Sequence, residues 1–326
     1  MSLKNNVLHI LELNKGANIS GQELADMLCV SRTAVWKAIN SLKQEGYLID
    51  ATSNKGYSLS FSSDVMSSEG INLYLNDEYK NIPITVYKSL ASTNTEAKIN
   101  AMNNAVHGTV IISEEQTKGR GRFGRDFFSP SESGIYMSII LKPNLNIADS
   151  VLITTATAVA VCNAIDNFTD EKPQIKWVND IYIENKKVCG ILTEAVTDFE
   201  SGGIESVIVG IGVNVKTKEQ EFPGELQNIA GSIFHSDENF CIRNQLAAEI
   251  INNVLSICKE LGNKKFLEIY KERSLILGEY ILYNKNNEWL EAFALDIDEY
   301  GGLIIINKEG QKETLHSGEV SIKKVK

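Results

Sequence analysis

A chain of 326 residues, 43% hydrophobic and 23% charged, is long enough for two or three domains, each with its own buried core. A net charge of −10 excludes a global basic field that would draw in nucleic acid, so any DNA contact must come from a local patch. Five cysteines with no C-x-x-C pair and four scattered histidines argue against a disulfide framework and a structural zinc site; they fit reduced thiols in a cytoplasmic protein.

The opening residues carry neither the basic stretch nor the apolar core of a signal peptide. Val7, Ile10 and Leu11 recur at helical spacing. Ser20 followed by Glu23 is a capping box that opens a second helix over 21–28, with Leu24 and Leu28 on one face. Ser31 caps a third helix running to about Lys43, whose inward stripe is Val35, Ile39 and Leu42. Arg32, Thr33, Lys37 and Asn40 are left facing outward. Two short strands, 46–50 and 56–59, follow, joined by a turn that carries Lys55. Helix, helix, short turn, helix, hairpin is the order of a winged helix-turn-helix. The DNA-binding candidates are therefore Arg32, Thr33, Lys37 and Asn40 in the major groove and Lys55 in the wing. Recognition of two half-sites would require a dimer. The alternative is a small trihelical domain used for protein contacts.

Residues 64–273 alternate strand-like runs (84–87, 109–113, 135–141, 175–177, 181–183, 207–215) with helices over 93–102, 150–168 and 243–261, as in an α/β or α+β enzyme. The weakly polar run 151–165 is too short for a membrane span and reads as a buried helix. The most informative stretch is 119–125, G-R-G-R-F-G-R. Glycines allow close backbone approach, and three adjacent arginines repel one another unless an anion lies between them. The stretch also satisfies G-x-G-x-x-G, but 126–134 contains a proline and turn formers with no helical period, so the dinucleotide-binding reading is rejected. With few apolar anchors, the loop is expected to be mobile when empty and to order over a ligand. Further polar clusters are Ser92-Thr93-Asn94, Gln116, 176–180 and 187–194. Each has a plainer reading: a helix cap for Ser92 to Asn94, core packing for Trp177, a turn lysine for Lys187. Gly210 and Gly212 suggest a strand admitting a close neighbour.

From residue 274 onward, strands at 280–283, 289–296, 302–307 and 319–322, separated by turns, suggest a small SH3-like barrel. The expected domains are thus 1–63, 64–273 and 274–326.

Taken in order, these motifs closely resemble the biotin protein ligases, specifically the bifunctional type that also represses the biotin operon. The resemblance covers essentially the whole chain. It implies an α+β (mixed α/β) catalytic domain of biotin/lipoate ligase type between a winged helix and a small β-barrel. It implies ATP-dependent formation of biotinyl-5′-AMP and transfer of biotin to a lysine of a biotin carboxyl carrier protein. Operator DNA would be a further partner, bound by a ligand-promoted homodimer. By this resemblance Ser92, Thr93, Asn94, Gln116, Arg120, Gly121, Arg122 and Lys187 surround biotin. Gly119, Arg125, Phe127, Trp177, Asn179, Asp180 and Asn214 are the candidates for ATP or the adenylate. Lys187, Arg120 and Arg122 would carry the chemistry by neutralising the two anions that react. Asp180 is the candidate to engage Mg²⁺ or the adenylate. Two departures stand out. Val178 replaces the proline of the family's K-W-P-N-D, and Phe127, followed by Phe128, stands where the family often has an adenine-stacking tryptophan. A lipoate ligase is disfavoured because no R-R-x-x-G-G-G motif is present.

Overall fold

A computed structural model describes residues 2–142, 150–197, 203–234, 241–285, 288–316, 318 and 320–322. The chain divides into two compact units, residues 1–81 with 236–249, and residues 82–235 with 250–326.

The first unit opens with α1 (Leu3–Leu13), α2 (Gly21–Met27) and α3 (Arg32–Gln44), then the antiparallel pair β1 (Ile49–Thr52) and β2 (Gly56–Leu59). Local chemistry sets each boundary. Ser20 Oγ accepts from Glu23 N at 3.1 Å while Glu23 Oε2 accepts from Ser20 N at 2.8 Å, and Ser31 Oγ accepts from Ala34 N at 3.2 Å. Helix α3 ends where Gly46 takes φ +102°, with Tyr47 N bonding back to Leu42 O and Gly46 N to Lys43 O. That exit consumes residues 46–48. The first strand therefore begins at Ile49, later than expected, and runs on to Thr52. Val7, Leu11, Leu24, Val35, Ile39, Leu42 and Leu59 form the core.

After the wing come α4 (Ser68–Asn72) and, much later, α7 (Arg243–Lys259). Arg243, at the first position of α7, has a side chain only 1% exposed, and its Nε lies 2.9 Å from Asp64 Oδ2. Removing the carboxylate would take this charge partner from a buried guanidinium, so Asp64→Ala is expected to destabilise the first unit by about 3–5 kcal/mol. Urea unfolding measures this, and a loss below about 1 kcal/mol would show that the pair contributes little net stability.

The second unit is built on a seven-stranded sheet of order β3-β4-β5-β9-β8-β7-β6. Its strands are β3 (Ile84–Tyr87), β4 (Thr109–Ser113), β5 (Gly134–Leu141), β6 (Gln174–Lys176), β7 (Asp180–Ile183), β8 (Lys186–Thr197) and β9 (Ile204–Asn214). Only β3 and β4 pair in parallel. Every residue of β4 and β5 is buried, which is why both read as largely apolar rather than alternating runs. Helices α5 (Thr93–Met102) and α6 (Ser150–Ile165) cover opposite faces. On β8, Glu194 meets Asn94 of α5, whereas its neighbour Thr193 meets Thr154 of α6 at 2.8 Å. Helix α6 is the buried helix expected from its sequence. Among the described residues no helix is long and apolar enough to cross a membrane.

Strand β8 was not legible in the sequence, because Gly190 interrupts a short apolar centre flanked by Lys186, Lys187 and Glu194. Lys187 consequently lies on a strand rather than in a turn; the turn is Glu184-Asn185, both at positive φ, as a two-residue hairpin requires.

After α8 (Phe266–Glu272), the chain ends in a five-stranded antiparallel sheet of order β13-β12-β11-β10-β14. It comprises β10 (Tyr280–Lys285), β11 (Glu288–Ile297), β12 (Leu303–Asn307), β13 (Lys312–Leu315) and β14 (Val320–Ile322). This is the small β domain expected, with β13 as an additional strand.

Candidate active site

A cavity of about 400 Å³ opens in the second unit. Its wall includes Ser92, Thr93 and Asn94 at the start of α5, Gln116, and Arg120, Gly121, Arg122, Arg125 and Phe127 of the loop between β4 and β5. Trp177, Asn179, Asp180 and Lys187 complete the set of expected residues that line it. Two candidates stand apart. Gly119 is packed at the base of the loop, where an added Cβ would meet Phe127 O at 2.4 Å. The Asn214 side chain is buried and donates to Gly231 O at 3.0 Å.

Ser92 occupies the N-cap of α5 but makes no side-chain cap bond. The polar groups beside it are instead tied across the sheet. Gln116 Oε1 accepts from Thr93 N at 2.8 Å and lies 3.1 Å from Thr93 Oγ1, while its Nε2 donates to Ser129 Oγ. Ser138 Oγ lies 2.6 Å from Asn94 Oδ1, and Asn94 Nδ2 donates to Leu192 O and Glu194 Oε2. Gly210 lies directly beneath: a Cβ there would come within 2.2 Å of Asn94 Oδ1. A Cβ at Gly212 would strike the Phe127 ring at 2.5 Å. The glycines of β9 thus admit Asn94 and Phe127, two side chains of the cavity wall.

The arginine loop folds as a small hairpin around a short 3₁₀ turn, Arg122–Gly124, with no helix opening on its glycines. Gly121 N donates to Arg125 O at 2.7 Å and Phe127 N to Gly119 O at 2.9 Å. Arg120 Nη2 donates to Glu194 Oε1 at 2.7 Å and Arg122 Nη1 to Asn179 Oδ1 at 3.0 Å. These polar bonds anchor a loop with few apolar side chains to hold it. Of the two adjacent phenylalanines, Phe127 faces the cavity edge-on to Tyr136, and Phe128 turns away onto Phe222.

Lys187 Nζ lies 2.7 Å from Asp180 Oδ1. Tyr182 stands nearby, its hydroxyl pushed up to about 12 by burial and then by the Asp180 charge, so it stays protonated at neutral pH. Trp177 is both wall and core: it lines the cavity, is 3% exposed and donates through Nε1 to Gly301 O. The peptide bond between Trp177 and Val178 is cis. Cys189, next but one to Lys187, is no nucleophile, since burial raises its thiol well above the ordinary range.

Burial would raise the Glu194 carboxyl, yet hydrogen bonds from Lys98 and Asn94 and the charges of Lys98 and Arg120 hold it below its ordinary 4.5. A carboxyl lowered in the folded state stabilises the protein above its unfolded value, and that contribution is lost as pH falls through the folded one. Sequence reasoning missed Glu194 as a site residue, as well as Tyr182, Met137, Trp289 and Val320 on the cavity wall. Glu194 closes the polar cluster 187–194, which was the available signal; Trp289 and Val320 carried none. Among the described residues no three His, Cys, Asp or Glu side chains gather as metal ligands. Asp180, the Mg²⁺ candidate, is paired with Lys187, and Asp126 is the other carboxylate on the cavity wall.

In the first unit Arg32, Thr33, Lys37 and Lys55 are exposed and Asn40 is half-buried. Arg32 and Thr33 line a groove with Trp36 of α3 and with Ser53 and Asn54 of the wing turn; Lys37, Asn40 and Lys55 lie outside it. Trp36, 55% exposed, was not among the outward residues singled out, although it falls off the inward stripe.

Residues 86–214 match the Biotin/lipoate A/B protein ligase family, and residues 4–58 match an HTH domain. The chain is 32% identical to the bifunctional ligase/repressor BirA of Bacillus subtilis, over 98% of this chain and 99% of that protein. It is 24% identical to the protein of the same name from Escherichia coli, over 95% of each. The structure of the biotin protein ligase from Aquifex aeolicus in complex with biotin and ATP aligns with a TM-score of 0.61 at 27% identity. That alignment covers 74% of this chain and 99% of the other.

Proposed function

The chain belongs to the family of bifunctional biotin ligase/repressors, and on that premise we propose that it joins biotin to a carrier protein through biotinyl-5′-AMP. The observation that carries this reading is the convergence on one cavity of the Lys187–Asp180 pair, the three loop arginines and the bonded Asn94 and Gln116. In the first step a biotin carboxylate oxygen attacks the α-phosphorus of ATP, and pyrophosphate leaves. Both reactants are anions, so Lys187 would hold the carboxylate while Arg120, Arg122 and Arg125 neutralise phosphate charge. Ser92, Thr93, Asn94, Gln116 and Gly121 would orient biotin; Phe127, Trp177, Asn179 and Asp180 would face the nucleotide. Asn214 and Gly119 would act from behind, by holding the wall. Mg²⁺ would supply counter-charge to the phosphates of ATP, with Asp180 as the candidate carboxylate to hold it. In the second step a lysine amine of a biotin carboxyl carrier protein attacks the anhydride carbonyl, AMP leaves and the nitrogen loses a proton.

Incubation with ATP, Mg²⁺ and biotin, with lipoate in a parallel tube, tests the reading by mass spectrometry. Biotinyl-adenylate in the first tube alone is expected; biotin binding without adenylate would leave a sensor that has lost its chemistry.

The winged helix, residues 1–63, would place α3 in the major groove of operator DNA, as a homodimer favoured by the adenylate. Arg32→Ala is expected to weaken binding to a duplex selected by the wild-type protein by about 1–3 kcal/mol, and Lys37→Ala to weaken it on any sequence while flattening its salt dependence. Electrophoretic shift titrations at two salt concentrations report both. Unchanged affinity in both variants would leave the module with a protein-contact role.

A further inference from the structure

One carboxylate binds three side chains of the candidate site's surroundings without itself lining the cavity. Glu194 lies on β8 two residues beyond Leu192 and four beyond Gly190, on the face those cavity residues share. Its Oε1 accepts from Arg120 Nη2 at 2.7 Å and from Lys98 Nζ at 2.6 Å; its Oε2 accepts from Asn94 Nδ2 at 2.8 Å. The partners come from two distant segments: Asn94 and Lys98 one turn apart on α5, and Arg120 in the arginine loop. Glu194 is about one-fifth exposed, whereas the Arg120 side chain is about one-half exposed (19% and 48%). The carboxylate is thus the more buried member and the arginine the more exposed one.

Two consequences follow from charge and geometry. Asn94 has two distinguishable ends. Ser138 Oγ meets its Oδ1, whereas Leu192 O and Glu194 face its Nδ2, so Glu194 helps decide which end of the amide faces which way. The loop arginines also repel one another, and Arg120 would swing into solvent without a counter-charge. With Glu194 in place, the first arginine of the loop is held against the same carboxylate that orients Asn94. Asp180 does the corresponding service for Lys187.

We infer that Glu194 is a positioning residue for the ligation reaction, clamping the arginine loop to the α5 wall so that the two sides of the site are set together. The role rests on the ligase reading, but the clamp itself can be tested without it. Trypsin cuts after arginine only where the loop detaches from its wall, so cleavage at Arg120, Arg122 and Arg125 of the ligand-free protein reports the clamp directly. Glu194→Gln removes the charge while keeping the shape. Losing a part-exposed charge-assisted bond is expected to speed loop cleavage by about tenfold and to weaken biotin binding, read by calorimetry, by a similar factor. Global unfolding by urea should be little changed, because a general loss of folding would lower stability and biotin affinity together. Glu194→Asp, which keeps the charge, should recover part of the loss. Arg120→Ala combined with Glu194→Gln should be no worse in biotin affinity than the poorer single variant. Wild-type rates of loop cleavage in Glu194→Gln, or a loss of biotin affinity matched by a fall in the urea midpoint, would overturn the inference. Failure of the wild-type protein to make biotinyl-adenylate would instead sink the ligase reading and leave the cleavage result standing.

Discussion

Lys187→Ala is expected to slow biotinyl-adenylate formation by about 10²–10³-fold, the usual effect of removing one donor aimed at developing charge. The lysine sits on β8, a central strand, with its ammonium 2.7 Å from Asp180 and its stem beside Gly190, where an added Cβ would lie 3.3 Å from Lys187 Cε. The missing side chain of Gly190 thus gives the ammonium its path into the cavity. Two anions must meet for adenylation, and Lys187 is a cation lining the same cavity as the arginine loop. Both members of the Lys187–Asp180 pair remain partly hydrated, so folding should suffer little. Single-turnover quench with radiolabelled ATP separates this step from transfer to the carrier. Lys187→Arg keeps the charge but brings a longer, forked head, and should fall between the two. A rate near wild type for Lys187→Ala would remove the residue from the mechanism.

Gly210→Ala should weaken biotin binding by about 10–100-fold, the equivalent of one or two buried hydrogen bonds. The added methyl would lie 2.2 Å from Asn94 Oδ1, and Asn94 cannot yield easily. It is 3% exposed and held by Ser138, Leu192 and Glu194. Either the amide rotates and abandons those partners, or β9 shifts against α5. Gly262→Ala is the control, since nothing lies within 4 Å of the new methyl and its backbone is not left-handed. Calorimetric titration of biotin compares the two. Equal affinities would show that Asn94 takes no part in holding biotin.

The elements most legible in the sequence were those whose causes lie within a few residues. The capping box of Ser20 and Glu23, the Ser31 cap and the stripe of Val35, Ile39 and Leu42 are contacts at three, four or seven residues' separation, and they appear as expected. The rejection of a dinucleotide fold was equally local, since the residues after the loop glycines lack helical period, and no helix forms there. Strand β8 escaped because its ends are polar and its centre broken by Gly190, so its identity depends on pairing with β7 and β9 rather than on its own alternation.

By itself the sequence determined the class of chemistry and the order of its parts. Cations, glycines and amides occur in fixed succession, and residue types at those spacings limit what the chain can bind. Only the tertiary structure decided which of them touch. Glu194 meets Asn94 and Arg120 across separations of 100 and 74 residues, and Trp289 and Val320 of the last sheet enter the cavity wall. It also decided that Gly119 and Asn214 stand behind that wall. The physical reason is one of range. Helix caps and stripes act within a turn or two of chain, whereas strand order and register are set by burial of the whole sheet, and no short segment encodes its distant neighbour.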